Sequence, residues 1–126
     1  MTAPRFDRDR PASGPVVQGF SERGFVVDGE SHAAVLLTPE RGTRWQAPRL
    51  ADLTPEDLAE IVALDPPPEF LILGTGAAMA FAPRSLVQAL EARSIGVEAM
   101  DSRAAARTWG VLRAEGRWIA AALMPL

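Results

Sequence analysis

The sequence predicts an α/β fold, on three observations. The second half alternates short apolar runs with helical patterns in the order β-α-β-α-β. The first half carries three short apolar runs parted by polar turns, one of them Asp28-Gly29. The chain of 126 residues, 48% hydrophobic and 23% charged, has the length and composition of one globular domain.

Residues 1–15 hold two Pro-containing patches and alternating Arg and Asp, and are expected to be a flexible N-terminal arm before a single domain over 16–126. The runs Val16–Phe20, Gly24–Val27 and Ala33–Leu37 then read as an antiparallel meander, with Asp28-Gly29 as its hairpin signal. Thr43–Gln46, with Trp45, is compatible with one more short strand.

A helix is expected over Leu50–Leu64. Thr54 suits the N-cap, Pro55 the first helical position, and Glu56 and Asp57 set negative charge at the positive end of the dipole. Leu53 and Leu58 have the spacing of a hydrophobic staple, and Leu58, Ile61 and Val62 share a face. Pro66-Pro67-Pro68 stops the helix.

Phe70-Leu71-Ile72-Leu73 is a continuous apolar run, the pattern of a strand buried on both faces. A helix follows over about Pro83–Arg93 with Leu86, Val87 and Leu90 inward, then a strand over Gly96–Met100. Asp101 or Ser102 can cap the next helix, which runs to about Leu112 with Ala104, Thr108, Val111 and Leu112 as its expected buried arc. Trp118–Leu123 closes the series as a strand that can return by a hairpin-like reversal.

Composition narrows the chemistry. There is no Cys, Lys, Tyr or Asn, all 13 basic residues are Arg, and the one His is His32. Thiolate metal sites, thiol nucleophiles, Schiff-base lysines and multi-histidine metal sites are therefore outside its repertoire, and no metal or cofactor is expected. The net charge is −3, with no basic arm, which disfavours nucleic acid as a partner. Apolar stretches such as Ala77–Ala82 and Ile119–Met124 fall far short of the ~20 residues that span a bilayer. The expectation is a cytoplasmic protein without membrane insertion.

Gly74-Thr75-Gly76 follows a buried strand, where open α/β sheets place ligands. Two glycines let backbone N–H groups approach an anion, but Met79 replaces the third glycine of the dinucleotide fingerprint, so a plain strand-exit turn is the simpler reading. Arg107 borders the expected buried stripe and suits a half-buried guanidinium, either on an anionic ligand or in an internal ion pair with Asp101, Glu98 or Glu115. Thr108 adjoins it. Asp101 is a cap first and a general base second, and Glu115 is first a turn residue. His32 reads as a packing residue. Trp109, at the edge of the expected arc, is the candidate contact surface together with Arg103.

Taken in order, Leu71-Ile72-Leu73-Gly74-Thr75-Gly76, Gly96-Val97-Glu98-Ala99-Met100-Asp101, Ala104-Ala105-Ala106-Arg107-Thr108, Val111-Leu112, Glu115-Gly116-Arg117 and Ala120-Ala121-Ala122-Leu123 resemble an uncharacterised small α/β family of bacteria and archaea. Its mitochondrial members include respiratory complex I assembly factor three. The resemblance covers about residues 16–124. It implies a single three-layer α/β domain, with a mixed central β-sheet flanked by helices and an added N-terminal β-meander, and it implies no established catalysis. It also implies a protein partner, by analogy membrane-complex assembly machinery. Many relatives have Cys where this chain has Ala106, and an aromatic followed by Asn where it has Trp109-Gly110.

The leading expectation is thus a non-enzymatic interaction or assembly module with no catalytic residues. The alternative is a small anionic-ligand site or enzyme between Gly74–Gly76 and Arg107. A homo-oligomer using the Trp surface is a third reading.

Overall fold

The computed structural model describes residues 14–126. Residues 1–13 of the expected arm lie outside the described residues. Pro15 is buried, and its carbonyl accepts a 2.9 Å hydrogen bond from the Trp109 indole N–H.

β1 (Val17–Ser21), β2 (Gly24–Val27) and β3 (Glu30–His32) form an antiparallel meander. Asp28 and Gly29 both take positive φ, 52° and 82°, the conformation of a two-residue hairpin turn whose twist matches its strands. The third expected strand is corrected. Glu30–His32 completes the meander, while β4 (Val35–Leu37) belongs to the central sheet. All three β4 residues are buried, and a strand apolar on both sides fits between two covered faces, not at a solvated one.

β5 (Gly42–Arg44) pairs antiparallel with β4 and ends before Trp45, whose indole N–H donates to the Asp57 carbonyl. The helix expected over Leu50–Leu64 is instead two 3-10 turns, Leu50–Asp52 and Pro55–Leu58, and one α-helical turn, α1 (Ala59–Val62). The capping signals act at Thr54, so the helical segment starts at Pro55 and not at Leu50. The Asp57 carboxylate accepts from the N–H and hydroxyl of Thr54, and the stapling pair Leu53 and Leu58 is buried. Because Thr54 caps, Leu50–Leu53 lies outside that helix.

Then follow β6 (Phe70–Gly74), α2 (Arg84–Glu91), β7 (Gly96–Met100), α3 (Ser102–Ala114) and β8 (Ala120–Leu123). The central sheet has the order β5-β4-β8-β6-β7. β8 runs parallel to β6 and antiparallel to β4, so it does not reverse by a hairpin as expected. It inserts between the two halves of the sheet.

Side-chain alternation along the strands divides the core in two. Leu36, Leu71, Leu73, Ala120 and Ala122 pack on one face with Leu58, Ile61, Leu86 and Leu90. Val35, Leu37, Ile72, Ala121 and Leu123 pack on the other with Ala105, Ala106 and Trp109 of α3 and Phe25 and Val27 of the meander. The architecture is therefore three-layered, with a mixed central sheet, as the resemblance implied.

The buried arc of α3 is also corrected. It consists of Ser102, Ala105, Ala106, Trp109 and Arg113, whereas Val111 is 59% exposed. Trp109 is the largest apolar side chain of the helix and sets the inward face; the alanines around it fit either side and do not reveal which is buried.

Candidate functional site

The parallel strands β6, β7 and β8 all end on one edge of the sheet, where Gly74–Gly76, Asp101 and the start of α3 meet. Ser102 ties this edge together. It is fully buried; its hydroxyl accepts from the Gly76 N–H at 2.8 Å and donates to the Met124 carbonyl at 2.7 Å. Its own N–H donates to the Gly76 carbonyl at 2.8 Å. Gly76, at φ 106°, is where the chain turns out of the sheet.

The Thr75 N–H donates to the Met100 carbonyl at 2.8 Å. The backbone donors of Thr75 and Gly76, which an anion would need, are thus engaged within the fold. The Thr75 hydroxyl lies 2.8 Å from the Ala78 carbonyl, to which it donates, and accepts from the Ala80 N–H at 3.0 Å. These bonds brace the segment that follows. That segment, Ala77-Ala78-Met79-Ala80-Phe81-Ala82, is an apolar loop at the surface: Phe81 is 84% exposed and Met79 51%. Arg84, exposed at the start of α2, makes no ion pair among the described residues.

Asp101 caps α3, its Oδ1 accepting from the Ala104 N–H at 2.9 Å, as its position suggested. Arg103 is exposed, with its guanidinium 4.8 Å from the centre of the Phe20 ring. Arg107 is exposed and not half-buried, because the inward face passes through Ala106 and Trp109. Thr108 is half-buried with its hydroxyl 3.4 Å from the Met100 sulfur. Glu115 sits at the far end of α3, about 20 Å along the axis from Ser102. It does not join the Gly74–Gly76 edge. Trp109, expected at a contact surface, is fully buried against the meander and Pro15, so that expectation is corrected. Ala106 also faces this core.

The opposite edge carries an ion pair. Arg117 Nη2 lies 3.0 Å from Glu69 Oε1, and this hydrogen-bonded guanidinium holds the Glu69 carboxyl below its ordinary range while the pairing raises Arg117. Burial lowers the Arg113 guanidinium, whose Nη1 donates to the Arg117 carbonyl. A cleft of about 570 Å³ lies between Thr38–Arg41 and α1, where Glu60 accepts from Thr43 and pairs with Arg41.

Among the described residues, no cluster of three His, Cys, Asp or Glu side chains could hold a metal ion, and no helix is long and apolar enough to cross a membrane. The feature that residue-by-residue reading missed is the exposed Met79–Phe81 tip. Its signal was an apolar run with neither helical nor strand periodicity, set between a glycine turn and Pro83.

Known proteins resemble this chain over nearly all of the described residues. The family model for proteins of unknown function (DUF498/DUF598) matches residues 17–124. NADH dehydrogenase (ubiquinone) 1 alpha subcomplex assembly factor 3 of Danio rerio is 32% identical over 115 residues, covering 90% of this chain and 66% of that protein. An uncharacterized protein of Rhodobacter capsulatus is 32% identical over 111 residues, covering 87% of this chain and 84% of its own. The chain thus spans slightly less than two thirds of the Danio rerio assembly factor. A crystal structure from Bordetella parapertussis matches with a TM-score of 0.78 at 36% identity, covering 90% of this chain and 98% of that one. A solution structure of a Mth938-like domain from Bordetella pertussis matches with a TM-score of 0.73 at 31% identity, covering 88% of this chain and 85% of that one.

Proposed function

The chain belongs to the DUF498/DUF598 family, and from that premise we propose that it is a binding module assisting the assembly of other proteins, not a catalyst. The observation that carries this reading is the Ala77–Ala82 loop. A soluble domain seldom leaves a Phe side chain 84% exposed in a run of six apolar residues unless that surface meets a partner. Thr75 holds the loop in shape, so docking does not have to order it first.

The groups that could do chemistry at this edge already have structural partners. Asp101 caps a helix, Ser102 joins Gly76 to Met124, and the Thr75 and Gly76 N–H groups donate internally. Relatives named as assembly factors of NADH dehydrogenase support an assembly role. The finer reading is that the protein works from the cytoplasm on subunits of a membrane respiratory complex.

Affinity purification from the native host, in soluble and membrane fractions, tests it. Wild-type protein is expected to recover respiratory-complex subunits that Phe81→Ser loses. Recovery of no such subunit at native expression overturns the reading.

A further inference from the structure

We infer that the Ala77–Ala82 loop docks the protein on an anionic lipid surface, with Phe81 and Met79 entering the boundary between headgroups and acyl chains. The inference rests on the reading of this protein as a binding module and specifies what the loop binds.

The first support is shape. Phe81, 84% exposed, is a projecting tip and not the wall of a groove. A bilayer accepts such a tip without a preformed pocket, burying apolar area at the interface as monotopic proteins do. The loop backbone is braced on Thr75 at Ala78 and Ala80 and is followed by Pro83 at the cap of α2.

The second support is charge. The full chain has 16 Asp and Glu residues against 13 Arg, a net charge of −3, so the protein as a whole is acidic. The loop edge departs from that average. Arg84 follows the loop directly. Arg103 and Arg23 line a shared cleft with Pro125, and the Pro125 carbonyl lies against Gly76 at the base of the loop. Acidic groups at this edge include Glu22, which lines the same cleft, and Asp101, whose carboxylate accepts a helix N–H. Strand direction sends Glu91, Glu115 and the Glu69–Arg117 pair to the opposite edge. An apolar tip followed directly by Arg84, with Arg23 and Arg103 in a cleft on the same edge of an otherwise acidic protein, is complementary to anionic headgroups.

Sedimentation of the full chain with unilamellar vesicles tests this directly. Binding is expected to vesicles of phosphatidylcholine mixed with phosphatidylglycerol and not to phosphatidylcholine alone. It should weaken several-fold as salt shortens the screening length. Phe81→Ser should reduce affinity by about tenfold, and Arg84→Gln combined with Arg103→Gln by several-fold. Both surfaces are exposed, so an unchanged thermal midpoint is the control for folding.

No binding to anionic vesicles, equal binding to both kinds, or indifference to Phe81→Ser overturns the inference. If vesicles fail while Phe81→Ser still abolishes capture of respiratory-complex subunits, the loop is a protein-docking site; the lipid inference falls and the binding-module reading stands. If both fail, both fall.

Discussion

Gly74 and Ser102 approach so closely that no side chain fits between them: a Cβ on Gly74 would lie 2.8 Å from the Ser102 Oγ and 2.9 Å from its Cα. This contact locks the end of β6 against the start of α3. Gly74→Ala must push backbone against backbone. It is expected to destabilise by about 1–3 kcal/mol, read as a lower urea midpoint.

Ser102→Ala removes a hydroxyl that serves two buried partners, the Gly76 N–H and the Met124 carbonyl. Leaving them unpaired should cost about 1–3 kcal/mol in chemical denaturation. A wild-type urea midpoint for Ser102→Ala would contradict this account.

Trp109 anchors α3 to the start of the described chain. Trp109→Phe keeps most of the apolar contact but loses the bond to the Pro15 carbonyl, for an expected loss of about 1 kcal/mol. Trp109→Ala should cost about 3–5 kcal/mol by opening the core between α3 and the meander. Amide exchange at the meander strands is the discriminating measurement, since it should accelerate in both variants.

Asp101→Ala tests the cap of α3. The loss of the bond to the Ala104 N–H should cost about 0.5–2 kcal/mol, and Asp101→Ser should recover most of it. Thermal unfolding of the three proteins compares them.

The acid limb of stability reports on Glu69. Its carboxyl is held below the ordinary value of 4.5 by the hydrogen bond from Arg117. The folded state thus favours the ionised form. The resulting stabilisation is present above the ordinary value and is lost as pH falls through the lowered one. Glu69→Gln should therefore lower the thermal midpoint slightly near neutral pH, with the difference vanishing in acid. The pair is exposed, so the amplitude is small and should shrink further in high salt.

Features legible in the sequence were those governed by neighbours along the chain. The Asp28-Gly29 turn, the Thr54 start, the Leu53–Leu58 staple, the Asp101 cap and the extent of β7 each follow from local chemistry. Gly74–Gly76 forms the strand-exit turn that the sequence predicts, but its hydrogen-bond donors are taken by Met100 and Ser102, more than twenty residues away. Alanine on several sides of α3 erased the periodicity that would have shown Trp109 facing inward. The apolar run through Phe81 carried no marker of exposure, because hydrophobicity alone does not distinguish a core segment from a docking tip.

The position of β8 has a kinetic consequence. The β4–β5 hairpin and the β6–β7 pair share no hydrogen-bonded edge until Ala120–Leu123 slides between them. Val35 must find Leu123 across nearly ninety intervening positions, so the loop-closure entropy falls due before the central layer forms. The folding rate should therefore depend on how readily this alanine-rich strand is captured. Bulky replacements at Ala120, Ala121 or Ala122 should slow refolding in stopped-flow experiments, where changes to the meander leave the rate nearly untouched.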